Sequence, residues 1–148
     1  MTDEEFWDLI NLLDWDNEGD DEAVVEPLVK ALSHKSEEEI FSFEEILSEK
    51  LFQLDGEVYA VKRGFFGLKK KNEYISADDF LYTRCVVVVN GKDFFEDVVK
   101  NPKRFPHDLE FEMILVVSEL AYLRKTGKAM DYVPKVSYET YSNANKWK

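Results

Sequence analysis

Asp14-x-Asp16-x-Glu18-Gly19 sets three carboxylates at alternate positions ahead of a glycine, the spacing that opens a calcium loop between two helices. The pattern then fails, because the twelfth position needs a bidentate glutamate and Val25 stands there. The segment is expected to be a helix–helix turn whose aspartates cap the next helix. Cys85 with His34 or His107 has the residue types of a thiolate and its base. Cys85 is followed by Val86, Val87 and Val88, however, and a thiol in apolar surroundings has a raised pKa and is inert. One cysteine and two histidines, without H-x-x-x-H or C-x-x-C spacing, build no zinc site, and no Glu-x-x-His pair marks a di-iron bundle. The nucleophile elbow and the phosphate-loop signature are absent, and Gly64-x-x-Gly67 is too short for a dinucleotide loop. Lys69–Lys71 read as a solvated loop tip. No catalytic residue, metal ligand or cofactor is predicted.

A polar set within apolar surroundings is more informative. Arg84 lies among Tyr82, Cys85 and Val86, where a fully exposed face is narrow. A guanidinium enclosed between helices needs a carboxylate. Glu112 and Glu119, seven apart on one face of an otherwise apolar helix, are the expected partners, with Glu139 as a third. This set is read as a buried ion pair, or alternatively as the polar pocket of a small-ligand binder or enzyme. Tyr138, Tyr141 and Trp147 read as a flap over the core.

The elements that position these residues are expected to be helices. Thr2-x-x-Glu5 and Ser36-x-x-Glu39 are capping boxes. The first opens a helix with Phe6, Leu9, Ile10 and Leu13 on one face. A second helix follows a cap at Asp20 or Asp21, and Pro27 requires it to begin late or to kink. From Ser36, helical spacing runs through Phe43, Ile46, Leu47, Leu51 and Leu54 to Val58 and Val61, across Gly56. Residues 64–72 then read as a loop. A fourth helix starts after Ser76; its run Val86–Val89 also suits a strand, but Asn90-Gly91 makes a good C-cap. A fifth covers Asp93–Lys100, and a sixth, apolar nearly all round and therefore central, runs from a cap at Asp108 to Thr126 before Gly127. The expected fold is all-α: one compact domain, residues 1–148, of about six helices, with an irregular tail over 132–148 packed on it and room for a short strand pair.

Charge divides the chain. Residues 1–60 carry 19 acids against 3 bases, residues 61–75 five bases against one acid, and residues 76–148 eleven of each, for a net charge of −12. So negative a chain repels phosphate backbones and anionic membrane surfaces, which argues against nucleic-acid and membrane partners and for a basic protein. Apolar runs free of charge reach only about five residues, against the roughly 20 of a membrane span. No secretory leader pattern opens the sequence, and one cysteine suits a reducing compartment, so a cytoplasmic location is expected.

Four blocks give the chain a resemblance. Phe6-Trp7-x-x-Ile10 and Asp79-Phe80-Leu81-Tyr82-x-Arg84-Cys85-x-Val87-Val88-x-Asn90-Gly91 come first. Phe105-Pro106-x-Asp108-Leu109-Glu110-Phe111-Glu112 and Ser137-Tyr138-Glu139-Thr140-Tyr141-Ser142-Asn143 follow. Together they resemble a bacterial family catalogued as domain of unknown function 4240, while residues 61–75 depart from its pattern. The resemblance implies a bacterial, cytoplasmic, single-domain protein and brings no activity. The expected function is protein interaction: an acidic half that engages a basic partner, in its most specific form an immunity protein or antitoxin covering a cationic toxin domain. The expected contact residues are Asp14, Asp16, Glu18, Asp20, Asp21 and Glu22, with Glu37, Glu38 and Glu39.

Overall fold

Helix caps and apolar stripes lay out the chain much as its spacing dictates. The structure, a computed structural model, describes residues 1–63 and 69–147, with only the backbone given for 63 and 69–72. Its helices are α1 (Asp3–Ile10), α2 (Asp21–Ser33), α3 (Glu37–Gln53), the single turn α4 (Glu57–Ala60), α5 (Ala77–Val89), α6 (Lys92–Lys100) and α7 (Val117–Thr126). Strands β1 (Val61–Arg63) and β2 (Lys69–Tyr74) pair antiparallel, Val61 opposite Tyr74. The fold is all-α with one short strand pair. Among the described residues no helix is long and apolar enough to cross a membrane.

Both capping boxes form. Thr2 Oγ1 accepts the Glu5 amide and Glu5 Oε2 accepts the Thr2 amide, each at 3.1 Å. Ser36 and Glu39 repeat the exchange at the start of α3. Asp20 caps α2 through the Ala23 amide, and the helix begins at Asp21, so Pro27 lies inside it rather than in its first turn. Val86–Val89 is helical, closed by Asn90 and by Gly91 at φ +100°.

Three expected element boundaries need correction. Helical spacing from Ser36 does not carry through to Val61. α3 stops at Gln53, Asp55 turns its side chain toward the tail, and Gly56 starts the separate turn α4. Residues 69–72, expected in a loop, form part of β2 through their backbone, while the side chains of Lys69–Lys71 lie outside the described residues. The sixth helix does not start at Asp108, whose φ of +58° is left-handed. Phe111 donates its amide to Tyr82 O and Thr83 Oγ1 donates to Leu109 O, which pins residues 109–111 along α5 in a non-helical path. A 3-10 turn, Glu112–Val116, then leads into α7.

α5 takes the central place expected of that last helix. It is buried on nearly every face, packing on α3 and α6, whereas α7 lies on α2 and α3 with Leu120 and Leu123 outward. Residues 132–147 hold no α-helix and cross the surface of α3 and α5. Tyr132 Oη donates to Glu45, Thr140 Oγ1 donates to Ala77 O, and Trp147 packs edge-on against Phe80 with ring centres 5.8 Å apart. Tyr138 and Trp147 pack against the core, as a flap should, whereas Tyr141 is 57% exposed and touches Trp147 edge-on.

Candidate functional site

Arg84 projects from the middle of α5 into the seam with α3 and is 0% exposed. Its Nη1 donates to Leu51 O at 2.8 Å and its Nη2 to Thr140 Oγ1 at 3.0 Å; the guanidinium stacks 4.7 Å over the Phe80 ring. Burial pushes Arg84 down to about 10, opposed by Asp55, Cys85 and Glu139, so it stays cationic at neutral pH. The expected burial is there, but the expected pairing is not. Among the described residues no carboxylate lies within 4 Å of Arg84, and Glu112, Glu119 and Glu139 are all exposed. The reason is the break after Phe111: Glu112 sits in the 3-10 turn and Glu119 in α7, so a seven-residue helical spacing never forms. Glu112 instead faces Tyr82 and raises its pKa by its charge.

The carboxylate with the strongest hold on Arg84 is Asp55, which the sequence reading passed over. It too is 0% exposed. Its Oδ1 accepts the Tyr141 amide at 3.1 Å and Trp147 Nε1 at 2.9 Å, and its Oδ2 accepts the Asn143 amide at 2.9 Å. An available signal was the Asp55-Gly56 dipeptide, a turn marker that helical spacing on either side outweighed.

A second carboxylate is buried further up α3. Glu44 faces Ser118 of α7, and Ser48, one turn on along α3, is buried as well. Burial pushes Glu44 up to about 7; the Ser118 hydroxyl works against the shift, and Glu119 and Glu45 add to it. Ser118 stands close enough for that effect without a well-formed bond. Glu44 Oε1, Ser48 Oγ and Ser118 Oγ all lack a hydrogen-bond partner within the protein, as does Arg84 Nε. Cys85 is buried within α5, and burial lifts its thiol to about 12, the state of an unreactive sulfur. His34 and His107 are both exposed.

The acidic residues are outside. Asp16, Glu18, Asp20, Asp21, Glu22, Glu37 and Glu38 are exposed, and Asp14 and Glu39 are half-buried. Asp14 accepts the Asp16 amide and Asn17 Nδ2, which makes this loop a capped turn. Among the described residues no cluster of three His, Cys, Asp or Glu side chains could hold a metal ion. Within the acidic loop, Trp15 is 40% exposed and rests edge-on against Phe111, ring centres 5.3 Å apart; Leu109, two residues before Phe111, is 56% exposed. Beyond Leu109 opens a cleft of about 940 Å³ between the start of α5 and residues 107–110, lined in part by Lys62, Tyr74, Asp79 and His107.

Residues 1–124 match the family described as "Protein of unknown function (DUF4240)". The chain belongs to this family. No curated protein and no solved structure matches it. In this DUF4240 chain the matched region supplies Asp55, Arg84 and the acidic loop. The block Ser137–Asn143 lies past the end of the match. The three donors to Asp55, and the Thr140 hydroxyl that accepts from Arg84, therefore come from residues beyond it, while Leu51 O, the other acceptor of Arg84, lies within it.

Proposed function

We propose that the protein binds a basic protein partner through the acidic surface built by the α1–α2 loop and the two ends of α2. The observation that carries this reading is the state of the nine acids. They stand at or near the surface, and among the described residues only Glu39 has a cation, Lys35 at 3.7 Å. α2 spans its 13 residues, so its two acidic ends lie about 20 Å apart, within one ordinary interface. Trp15, 40% exposed within the acidic loop and backed by Phe111, gives that surface an aromatic anchor among acids, the arrangement in which a few apolar contacts supply affinity and the charged rim supplies rate and selectivity. The enclosed seam around Arg84, roofed by the tail, favours this reading over a ligand pocket at that place.

The most specific form is an immunity protein or antitoxin that covers a cationic toxin domain. Co-expression with the product of each adjacent gene tests it. Relief of toxicity, followed by a complex whose association slows steeply as salt rises, is the expected result. Reversing Asp16, Glu18, Asp21 and Glu22 to lysine should slow association at least tenfold at low salt and flatten its salt dependence, with the fold intact. Association unchanged by that reversal would remove the acidic loop from the interface.

A further inference from the structure

A carboxyl enclosed between helices keeps its charge where a cation or several N–H and O–H donors face it. Glu44, in the middle of α3 and 7% exposed, has no such company. Its Oε1 accepts no hydrogen bond, and among the described residues no basic group lies within 4 Å of it. The charges that act on it have its own sign: Glu119 on α7 and Glu45 beside it in α3. The opposing group is the Ser118 hydroxyl of α7. From the tail, Tyr138 is near enough to feel the Glu44 charge; burial first and then that charge hold its hydroxyl up at about 12, so it is neutral. From α5, Cys85 is neutral through burial, and Arg84 is engaged by Leu51 O, Thr140 and the charge of Asp55. The cations near α1 and α2 are engaged too. The amino terminus donates to Ser42 Oγ, Lys50 meets Asp3, and Lys30 acts on Glu26.

The helix that closes over Glu44 is lightly held. α7 buries Val117, Ser118 and Ala121 and turns Leu120 and Leu123 outward, whereas α5 buries nine side chains. Both ends of α7 are breaks, the 3-10 turn Glu112–Val116 before it and left-handed Gly127 after it. Its side-chain ties to α3 and α2 lie at the surface, where Tyr122 Oη donates to Glu37 and Arg124 to Glu26. A short helix with a small buried face opens at lower cost than the core beneath it, and its opening is the nearest route for water to Glu44.

We infer that the α3–α7 seam is a protonation latch: α7 stays seated while Glu44 holds its proton, and lifts locally, together with the tail at Tyr138, when that proton leaves. Ionisation puts a charge between Glu45 and Glu119, and the enclosed carboxylate gains water when the seam parts. The direction follows from burial, which raises the seated carboxyl to about 7 against 4.5 in water. The open form therefore gives up its proton first and is favoured as pH rises, while the hold of the seated form is complete below pH 4.5 and lost through 7. The latch is independent of the proposed acidic interface, since Glu44 is not among its nine acids.

Amide hydrogen exchange of the full-length chain between pH 5 and 8 tests this, read as protection factors so that the pH dependence of exchange itself is removed. Carboxyl carbon shifts report the titration of Glu44 in parallel. Glu44 should titrate near 7, and protection over residues 117–126 should fall about tenfold between pH 6 and 8. Residues 137–139 should lose protection with it, while α5 changes less than about twofold. Glu44→Gln should keep α7 protected across the same range. Glu119→Gln, at an exposed position, removes one like charge and should move the titration and the opening of α7 to lower pH together. That comparison carries the test alone if Glu44→Gln does not fold. Four results would overturn the latch. They are a Glu44 that titrates below about pH 5.5, α7 protection that stays flat through the titration, an α5 that loses as much protection as α7, and midpoints that separate in Glu119→Gln.

Discussion

Glu44 carries the clearest titration in the molecule. Its carboxyl has an ordinary pKa near 4.5 in the unfolded chain and about 7 in the fold, with burial as the main cause. The native state therefore holds this proton more tightly, and its contribution to stability is complete below pH 4.5 and is lost as pH rises through 7. Urea melts of Glu44→Gln should lack this slope and show the variant more stable than the unaltered chain at pH 8, by up to ~3 kcal/mol. A variant less stable at that pH would mean that the ionised carboxylate is held by groups other than those around it here. Asp55 and Arg84 respond differently from one another. Asp55→Ala leaves two buried amides and an indole without an acceptor and should cost about 3 kcal/mol. Arg84→Met keeps the packing on Phe80 and leaves Asp55 with its three donors, so stability should stay within ~1 kcal/mol. Exposed Glu112, Glu119 and Glu139 should each tolerate alanine within ~0.5 kcal/mol. Melts of these five variants distinguish a tail-satisfied carboxylate from a simple ion pair.

At the scale of elements, caps and breaks decide where the chain turns. Ser36 holds the first turn of α3 through the Glu39 amide at 3.2 Å, so Ser36→Ala should cost about 1 kcal/mol in a denaturant melt. Gly127 closes α7 at φ +73°, where a side chain is strained; Gly127→Ala should cost about 1 kcal/mol, although nothing lies within 4 Å of the added carbon. Gly56 differs from both. Its backbone is extended and open to any residue, but an added carbon would lie 3.1 Å from Lys146 Cβ. Gly56→Ala should therefore loosen residues 143–147, seen as faster amide exchange there, and should not lengthen α3.

At the scale of the whole molecule the unequal charge acts on the fold itself. Nineteen acids against three bases in the first sixty residues repel one another. Some of that repulsion is relieved locally: Lys50 meets Asp3 at 2.7 Å, and Arg124 takes both oxygens of Glu26 at 2.7 and 2.8 Å. The loop acids have no such cations among the described residues. Raising ionic strength from low to physiological should raise the melting temperature as screening shortens to about 8 Å. A basic partner should do the same more strongly at equal ionic strength, since it supplies positive charge at the loop. A melting temperature that falls with salt would show that the ion pairs outweigh the repulsion.

Local rules determined much of this protein from sequence. Thr2-x-x-Glu5, Ser36-x-x-Glu39, Asp20 and Asn90-Gly91 act within one or two turns of backbone, so their positions alone place the starts of α1, α2 and α3 and the end of α5. The enclosure of Arg84 was legible for the same reason, because the apolar run Cys85–Val89 follows it directly in α5. Its partners were not, since they depend on contacts far apart in the chain. Only the tertiary structure brings Thr140 to Arg84 across 56 residues, and Tyr141, Asn143 and Trp147 to Asp55 across 86 to 92. The same long-range pairing ended α3 where spacing alone carried it on: a buried carboxylate met by three donors outweighs the gain from continuing a helix past Gly56.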